Sequence, residues 1–396
     1  MLVRMIPRLL AEKILSWARH YPVVTVTGPR QSGKTTLCKA LFPGMPYVSL
    51  EDLSIRQQAI GDPRGFLARF PDGAVLDEIQ RAPDLCSSIQ TVVDGRNESG
   101  LFILTGSQQF ELMAGVSQSL AGRTAIARLL PFSYTELYGS VEPGKAPTLD
   151  ALLYTGFYPR IHDKHLDPTE AMSFYVSTYL ERDVRQLLNV KDLSRFETFI
   201  RLLAGRSGQL FNASSIAADC GISHATAASW IGVLERSAIV YLLRPYFANI
   251  GKRLLKSPKL YFLDTGLLCY LLGIHSPAQL QTHPLRGSIF ESYVMADLLK
   301  SRYNTGLPDP FSFYRDSKGL EVDILAREGG SAVACEIKSS ATFHPDFIMS
   351  MNRLAEFLPG ACAKSLVLGN ADEPYRYKDC TVYGYPHVDH LLDARH

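Results

Sequence analysis

Residues 23–27, Val23-Val24-Thr25-Val26-Thr27, run directly into Gly28-Pro29-Arg30-Gln31-Ser32-Gly33 and then into Lys34-Thr35-Thr36-Leu37. No other stretch constrains the fold as tightly. The β-branched run predicts a buried strand, and the residues from Lys34 onward open a helix. A Gly-rich turn between the two lets backbone N–H groups face one centre, and the helix N-terminus adds partial positive charge there. That centre suits a phosphate, so Gly28, Pro29, Arg30, Gln31, Ser32, Gly33, Lys34, Thr35 and Thr36 are the candidate phosphate-binding residues. In this P-loop context Lys34 is expected to reach the β- and γ-phosphates of ATP, and Thr35 to hold Mg2+ through its hydroxyl.

Two further strand tips complete the pattern. Ala74-Val75-Leu76 ends in Asp77 and Glu78. At that position Asp77 is a candidate Mg2+ ligand, and Glu78 a candidate general base for the attacking water. A strand over 101–104 ends in Thr105-Gly106-Ser107, where a hydroxyl could sense the γ-phosphate; Ser107 is the first choice and Thr105 the second. Arg123, just before an apolar run over 125–130, is a candidate arginine finger completing a neighbour's site.

Together these residues resemble an AAA+ type P-loop ATPase. More closely, the chain is similar to a large bacterial and archaeal family of AAA ATPases with a conserved C-terminal domain of unknown function. The resemblance is carried by residues 28–35, Leu76-Asp77-Glu78-Ile79-Gln80, Leu104-Thr105-Gly106-Ser107, Gly122-Arg123 and Leu130-Pro131-Phe132-Ser133. It continues through Gly156-Phe157-Tyr158-Pro159 and Tyr179-Leu180-Glu181-Arg182-Asp183. It implies an α/β core with a parallel, doubly wound sheet and ring-like assembly, a hexamer by analogy.

Farther along, a helix is expected over 194–203. After it, Asn212-Ala213-Ser214-Ser215-Ile216-Ala217-Ala218-Asp219-Cys220-Gly221-Ile222-Ser223 and a helix from His224 to about Ser237 read as a helix-turn-helix. Ile216, Trp230, Ile231 and Leu234 are its candidate core. Strands over 239–243 and 261–263 would make a winged helix. Arg244, Lys252, Arg253, Lys256 and Lys259 lie between them with no acidic residue intervening, a basic wing suited to phosphates. His224, Thr226 and Ser229 are expected on the exposed face of the recognition helix.

Near the C-terminus, strands beginning at Phe313 and Glu321 and a third over 332–338 carry Asp323 and Glu336-Ile337-Lys338. This resembles the PD-(D/E)xK nuclease pattern. Alternation places Glu336 and Lys338 on one face, and a neighbouring strand would bring Asp323 beside Glu336 as a second Mg2+ site. Lys338 would orient water, and Glu291 is a further candidate acid. His344 and His387 read as surface or packing residues. Charged residues 181–183 and Arg185 read as a structural network.

Length suggests two or three domains. Pro/Gly stretches place an ATPase core at 1–138, a helical and winged-helix region at 139–284, and an α/β end at 285–396. A net charge of +2 does not select a partner, so the case for DNA rests on local clusters. Seven scattered cysteines suit a reducing compartment. Charged residues interrupt any N-terminal apolar run, so no signal peptide or membrane span is expected, and the location is read as cytoplasmic. Leu9, Leu10, Ile14, Leu15 and Trp17 instead fit one face of an amphipathic helix. Three readings stay open: an ATP-driven motor on DNA, an ATP-controlled nuclease, and a switch that acts on a protein partner.

Overall fold

The computed structural model describes residues 6–106, 119–142, 144–180, 193–246, 257–328, 330–358 and 362–392. Its contacts divide the chain into two compact units. The first comprises Met1–Phe132 with Arg236–Ala238 and Arg302–Pro308, and the second comprises Ser133–Glu235, Ile239–Ser301 and Asp309–His396.

In the first unit α1 (Leu10–Ala18) leads into β1 (Val23–Thr27), α2 (Lys34–Leu41), β2 (Tyr47–Ser49), α3 (Leu53–Gly61) and α4 (Pro63–Ala68). There follow β3 (Ala74–Asp77), α5 (Leu85–Asp94), β4 (Phe102–Gly106) and β5 (Thr124–Arg128). The strands form one parallel sheet in the order β2-β3-β4-β1-β5. β1, β3 and β4 are fully buried, which is why β1 reads as a β-branched run and β3 and β4 as apolar runs up to their polar tips rather than as alternating ones. Leu10 and Ile14 of α1 join a core cluster with Val24, Val26 and Ile103. Leu9 does not: it precedes the helix and is 50% exposed, one residue outside the apolar face. Parallel pairing puts the C-terminal ends of β1, β3 and β4 along one edge of the sheet, where ligands of such sheets bind.

The second unit begins with short helices α6 (Tyr134–Tyr138), α7 (Leu149–Thr155), α8 (Pro159–Lys164) and α9 (Pro168–Tyr175). Next come α10 (Leu193–Ala204), α11 (Ala213–Cys220), α12 (His224–Arg236) and an antiparallel pair, β6 (Val240–Leu243) and β7 (Lys259–Phe262). After α13 (Thr265–Leu271) and α14 (Pro277–Leu280), α15 (Arg286–Asn304) precedes β8 (Phe311–Arg315), β9 (Glu321–Glu328) and β10 (Ser331–Lys338). Then α16 (Met349–Ala355) leads to β11 (Cys362–Leu368), β12 (Tyr375–Tyr377) and β13 (Cys380–Gly384). β8 to β13 form a six-stranded sheet in the order β12-β13-β11-β10-β9-β8. It is antiparallel from β8 to β10 and parallel from β10 through β11 to β13. Met351 and Leu354 of α16 pack on Val322, Leu325, Leu366 and Leu368 of this sheet.

The family motif Gly156-Phe157-Tyr158-Pro159 is a packing knot of this unit. Gly156 ends α7 at φ 68°, and a Cβ there would stand 2.6 Å from Asp264 Oδ1 and from the Gly266 nitrogen. The next N–H, of Phe157, donates to Asp264 Oδ2 at 2.7 Å, while Oδ1 accepts from Leu267 N at the start of α13. Phe157 stacks on Tyr293 at 5.7 Å, Lys300 Nζ stands 4.0 Å from its ring centre, and the hydroxyls of Tyr158 and Tyr175 meet at 2.8 Å. Among the described residues no helix is long and apolar enough to cross a membrane.

Candidate functional site

At the edge formed by β1, β3 and β4, the loop after Thr27 is pinned from two sides. Gly28 lies against β5's exit so closely that a Cβ would fall 2.0 Å from the Leu129 carbonyl oxygen. Arg8, buried ahead of α1, donates Nη1 to Ser32 O at 2.8 Å and Nη2 to Leu130 O at 2.7 Å, and lies 4.7 Å over the Phe132 ring. Gly33 takes φ 92° immediately before α2, a left-handed turn that favours glycine. Lys34 Nζ folds back on the loop, donating to Gly28 O at 3.0 Å and Pro29 O at 2.7 Å. Burial pushes its pKa down to about 8, with Glu78 and Asp77 acting in the opposite direction. Gln31 has φ 61°, and Arg30 lies 4.0 Å from Glu51.

Asp77 is the hub. Thr35 Oγ1 donates to both of its oxygens, at 3.2 and 3.0 Å, Tyr47 OH donates to Oδ2 at 2.6 Å, and Thr105 Oγ1 donates to Oδ1. Burial, then the bond to Asp77, pushes the Tyr47 phenol well up, so it remains an O–H donor. Glu78 is left-handed at φ 58°, its N–H donates to Thr105 Oγ1 at 3.4 Å, and Gln80 Nε2 donates to its Oε2. Among the described residues, the hydroxyl at the β4 tip that meets Asp77 is that of Thr105; Ser107, the first choice, lies outside them. Arg123 sits at the other end of the sheet, just before β5, and forms a double contact with Asp94: Nε to Oδ1 at 2.5 Å and Nη2 to Oδ2 at 2.9 Å.

These residues fit Mg2+ with a nucleotide. Thr35 and Asp77 supply hard oxygen donors side by side, the chemistry Mg2+ takes. Ser32 Oγ is buried in the loop with no protein hydrogen-bond partner, an orphaned group that a phosphate oxygen would satisfy.

A second constellation lies in the other unit. β9 and β10 bring together Asp323, Glu336 and Lys338: Lys338 Nζ is 2.7 Å from Glu336 Oε2 and 3.7 Å from Asp323 Oδ2. Ile337 N donates to Asp323 Oδ2 at 3.0 Å. Glu291 of α15 accepts from Tyr261 OH at 3.4 Å, and Gly208 covers it, a Cβ there falling 3.1 Å from Glu291 Oε2. Lys259 was expected on an exposed basic wing. Instead it is buried, with Nζ 2.5 Å from Glu321 Oε1 and 3.3 Å from Asp323 Oδ1. Its place at the start of β7, opposite Leu243, turns it inward. Burial pushes Glu291 and Glu336 up, reinforced by the charge of Asp323. Burial acts upward on Asp323 too, but Lys259 and Lys338 outweigh it and hold that carboxyl below its usual range. Among the described residues, no three His, Cys, Asp or Glu side chains are arranged to hold a metal ion.

In the helix-turn-helix, Asn212 Oδ1 accepts from Ser215 N at 3.1 Å to open α11, and Gly221 at φ 61° closes it. Ser223 Oγ accepts from Thr226 N at 3.0 Å to start α12. Phe196 and Phe199 meet the Trp230 ring edge-on at 5.3 and 5.2 Å, over buried Ile216, Ile231 and Leu234. On α12 His224 and Ser229 are exposed, whereas Thr226 is half-buried with its hydroxyl 2.8 Å from Ser223 Oγ. Arg244 is exposed; Lys252, Arg253, Lys256 and residues 181–183 and 185 lie outside the described residues.

Nothing in the local sequence marked Tyr47 or Arg8, and the basic stretch around Lys259 gave no sign of its acidic partners. For Tyr47 the signal is the register of β2 on β3, which pairs Ser49 with Asp77.

Family profiles match three segments: an AAA domain over residues 20–138, a Domain of unknown function (DUF8612) over 146–278 and a Domain of unknown function (DUF4143) over 286–388. Uncharacterized protein Rv2008c of Mycobacterium tuberculosis is 31% identical over 351 residues, spanning 86% of this chain and 77% of that protein. Uncharacterized protein Mb2031c of Mycobacterium bovis matches with the same values, 31% over 351 residues, 86% and 77%. Among solved structures, the Walker-type ATPase PABY2304 of Pyrococcus abyssi is 14% identical with a TM-score of 0.46, over 68% of this chain and 99% of that one. The Thermotoga maritima RuvB Holliday junction branch migration motor is 19% identical with a TM-score of 0.30, over 60% of this chain and 90% of that one. With its nucleotide motifs on a parallel α/β sheet and its C-terminal DUF4143 segment, the chain belongs to the family of these mycobacterial proteins, as a P-loop ATPase of the AAA class.

Proposed function

We propose that the chain hydrolyses ATP with Mg2+ and uses nucleotide state to drive or gate DNA binding by its C-terminal half, as a translocase or remodeller of duplex or branched DNA. The observation that carries the ATPase reading is the gathering of Lys34, Thr35, Asp77 and Glu78 at one edge of the first sheet. Thr35 and Asp77 would hold Mg2+, which when bound neutralises charge on the phosphate oxygens. Lys34 leaves the Gly28 and Pro29 carbonyls to bind the β- and γ-phosphates. Glu78 takes the proton of the water that attacks the γ-phosphate in line. Ser107, or else Thr105 near the end of β4, senses the γ-phosphate. Arg123 lies five strand residues, roughly 16 Å, from its own phosphate loop, so it serves a neighbouring copy, and the active form is a homo-oligomer, a hexamer by analogy.

His224, Thr226, Arg244, Lys252, Arg253 and Lys256 are the proposed DNA contacts, with the exposure of His224 and Arg244 in support. The test is ATP turnover with and without single-stranded, duplex and branched DNA, beside a Glu78→Gln control. Stimulation by one DNA form, with salt-sensitive binding, supports the motor. Slow turnover indifferent to every DNA removes it and leaves a switch acting on a protein partner.

A second reading, an ATP-controlled nuclease, draws on the meeting of Asp323, Glu336 and Lys338 on adjacent strands. It requires Lys259 to leave the carboxylates so that Asp323 and Glu336 can take Mg2+. It expects Mg2+-dependent DNA cleavage that Asp323→Ala or Lys338→Ala abolishes while ATP turnover survives; absence of cleavage by the wild type under the same conditions removes it.

A further inference from the structure

A carboxylate at a strand tip turns freely about its last bond unless something holds both oxygens. At Asp77 the two oxygens have separate outer partners: Thr105 Oγ1 donates to Oδ1 and Tyr47 OH to Oδ2, the latter at 2.6 Å. Tyr47 stands on β2, the edge strand beside β3. Its ring is itself held, because Lys39 Nζ lies 3.6 Å from the ring centre. Lys39 belongs to α2, the helix whose first turn carries Lys34 and Thr35. The phenol thus links the acid of β3 to the phosphate-binding helix by a path separate from the Thr35 hydroxyl.

We propose that Tyr47 is a positioning residue of the nucleotide site: its hydroxyl fixes the rotation of the Asp77 carboxylate and thereby sets the site's affinity for a divalent cation. The proposal rests on the reading of Asp77 as a Mg2+ residue. In this reading Tyr47 acts through Asp77 and not directly on the metal or the phosphate. Outer partners that orient metal-binding carboxylates are typically worth about 10–100-fold in metal affinity. Removal of the one hydroxyl, with the ring and its Lys39 contact retained, falls at the lower end of that range.

The experiment uses the full chain with a saturating non-hydrolysable ATP analogue and Mn2+ as the probe. Nucleotide-dependent Mn2+ binding is counted by electron paramagnetic resonance in wild type, Tyr47→Phe and Asp77→Asn. Binding of the same analogue is measured separately in EDTA, where no cation contributes. The expected result is a Mn2+ dissociation constant about tenfold higher in Tyr47→Phe, with analogue affinity in EDTA and melting temperature unchanged. A constant within twofold of wild type, or a lower one, overturns the proposal. So does a parallel loss of analogue affinity in EDTA, which would mark Tyr47 as a general support of the fold. If Asp77→Asn also leaves Mn2+ binding unchanged, the reading of Asp77 itself falls, and the proposal with it; if only Tyr47→Phe is silent, the loss is confined to Tyr47.

Discussion

Thr105 shows how much one hydroxyl does when it is shared. It donates to Asp77 Oδ1 and accepts from the Glu78 N–H, so a single buried group joins the two acids of the site. Thr105→Val keeps the shape and removes both bonds. ATP turnover is expected to fall at least tenfold, with the overall fold retained by circular dichroism. Gly28 carries a different constraint. A Cβ there would collide with the Leu129 carbonyl at 2.0 Å, so Gly28→Ala must move the loop off β5. Binding of a fluorescent ATP analogue is expected to be lost, and the melting temperature to drop by an amount corresponding to roughly 1–3 kcal/mol. The meeting of Lys34, Thr35, Asp77 and Glu78 at one sheet edge was legible because each has a fixed place at or just after the end of a strand. The contact of Thr105 with Asp77 was not, since a polar strand end gives no sign of which neighbouring strand's acid its side chain will face.

At the scale of elements, β1 could be read from its β-branched run and β3 and β4 from their apolar residues, and α10, α11 and α12 from apolar spacing and caps such as Asn212 and Ser223. What local sequence does not encode is why polar residues sit inside helix packing. Asp297 of α15 is buried, and one of its oxygens accepts from Tyr134 N at the start of α6 at 2.9 Å. Burial pushes this carboxyl up to about 6 from the usual 3.8, though Lys300 pulls the other way. The folded chain therefore holds the proton more tightly than the unfolded chain. The stability this gives is complete below about pH 4 and is lost as pH rises through about 6, a change of about 3 kcal/mol. Asp297→Asn keeps an acceptor for Tyr134 and cannot ionise. Denaturant melts of both proteins across pH 4–7 should show the wild type losing stability relative to the variant over that window; parallel curves would refute the assignment.

For the whole molecule, the Pro/Gly-based divisions at 138 and 284 stand beside a contact-based division in which the first unit ends at Phe132 and regains Arg236–Ala238 and Arg302–Pro308. Such returns of the chain leave no mark in composition. Lys259 is a similar case. A lysine in a basic stretch reads as solvated, and only the assembled strands reveal Glu321 and Asp323 around it. Lys259→Met leaves the buried Asp323 carboxylate without its closest cation, and chemical denaturation is expected to show a loss of about 3 kcal/mol. The counter-ion of this cluster is covalent. It cannot be diluted, chelated or exchanged for another ion, so the local cation concentration is set by the backbones of β7 and β10, which carry Lys259 and Lys338, and not by the medium. The melting temperature of the nucleotide-free protein should accordingly be the same in EDTA as in millimolar Mg2+, and any ion that enters the cluster must first displace a cation that has nowhere to diffuse.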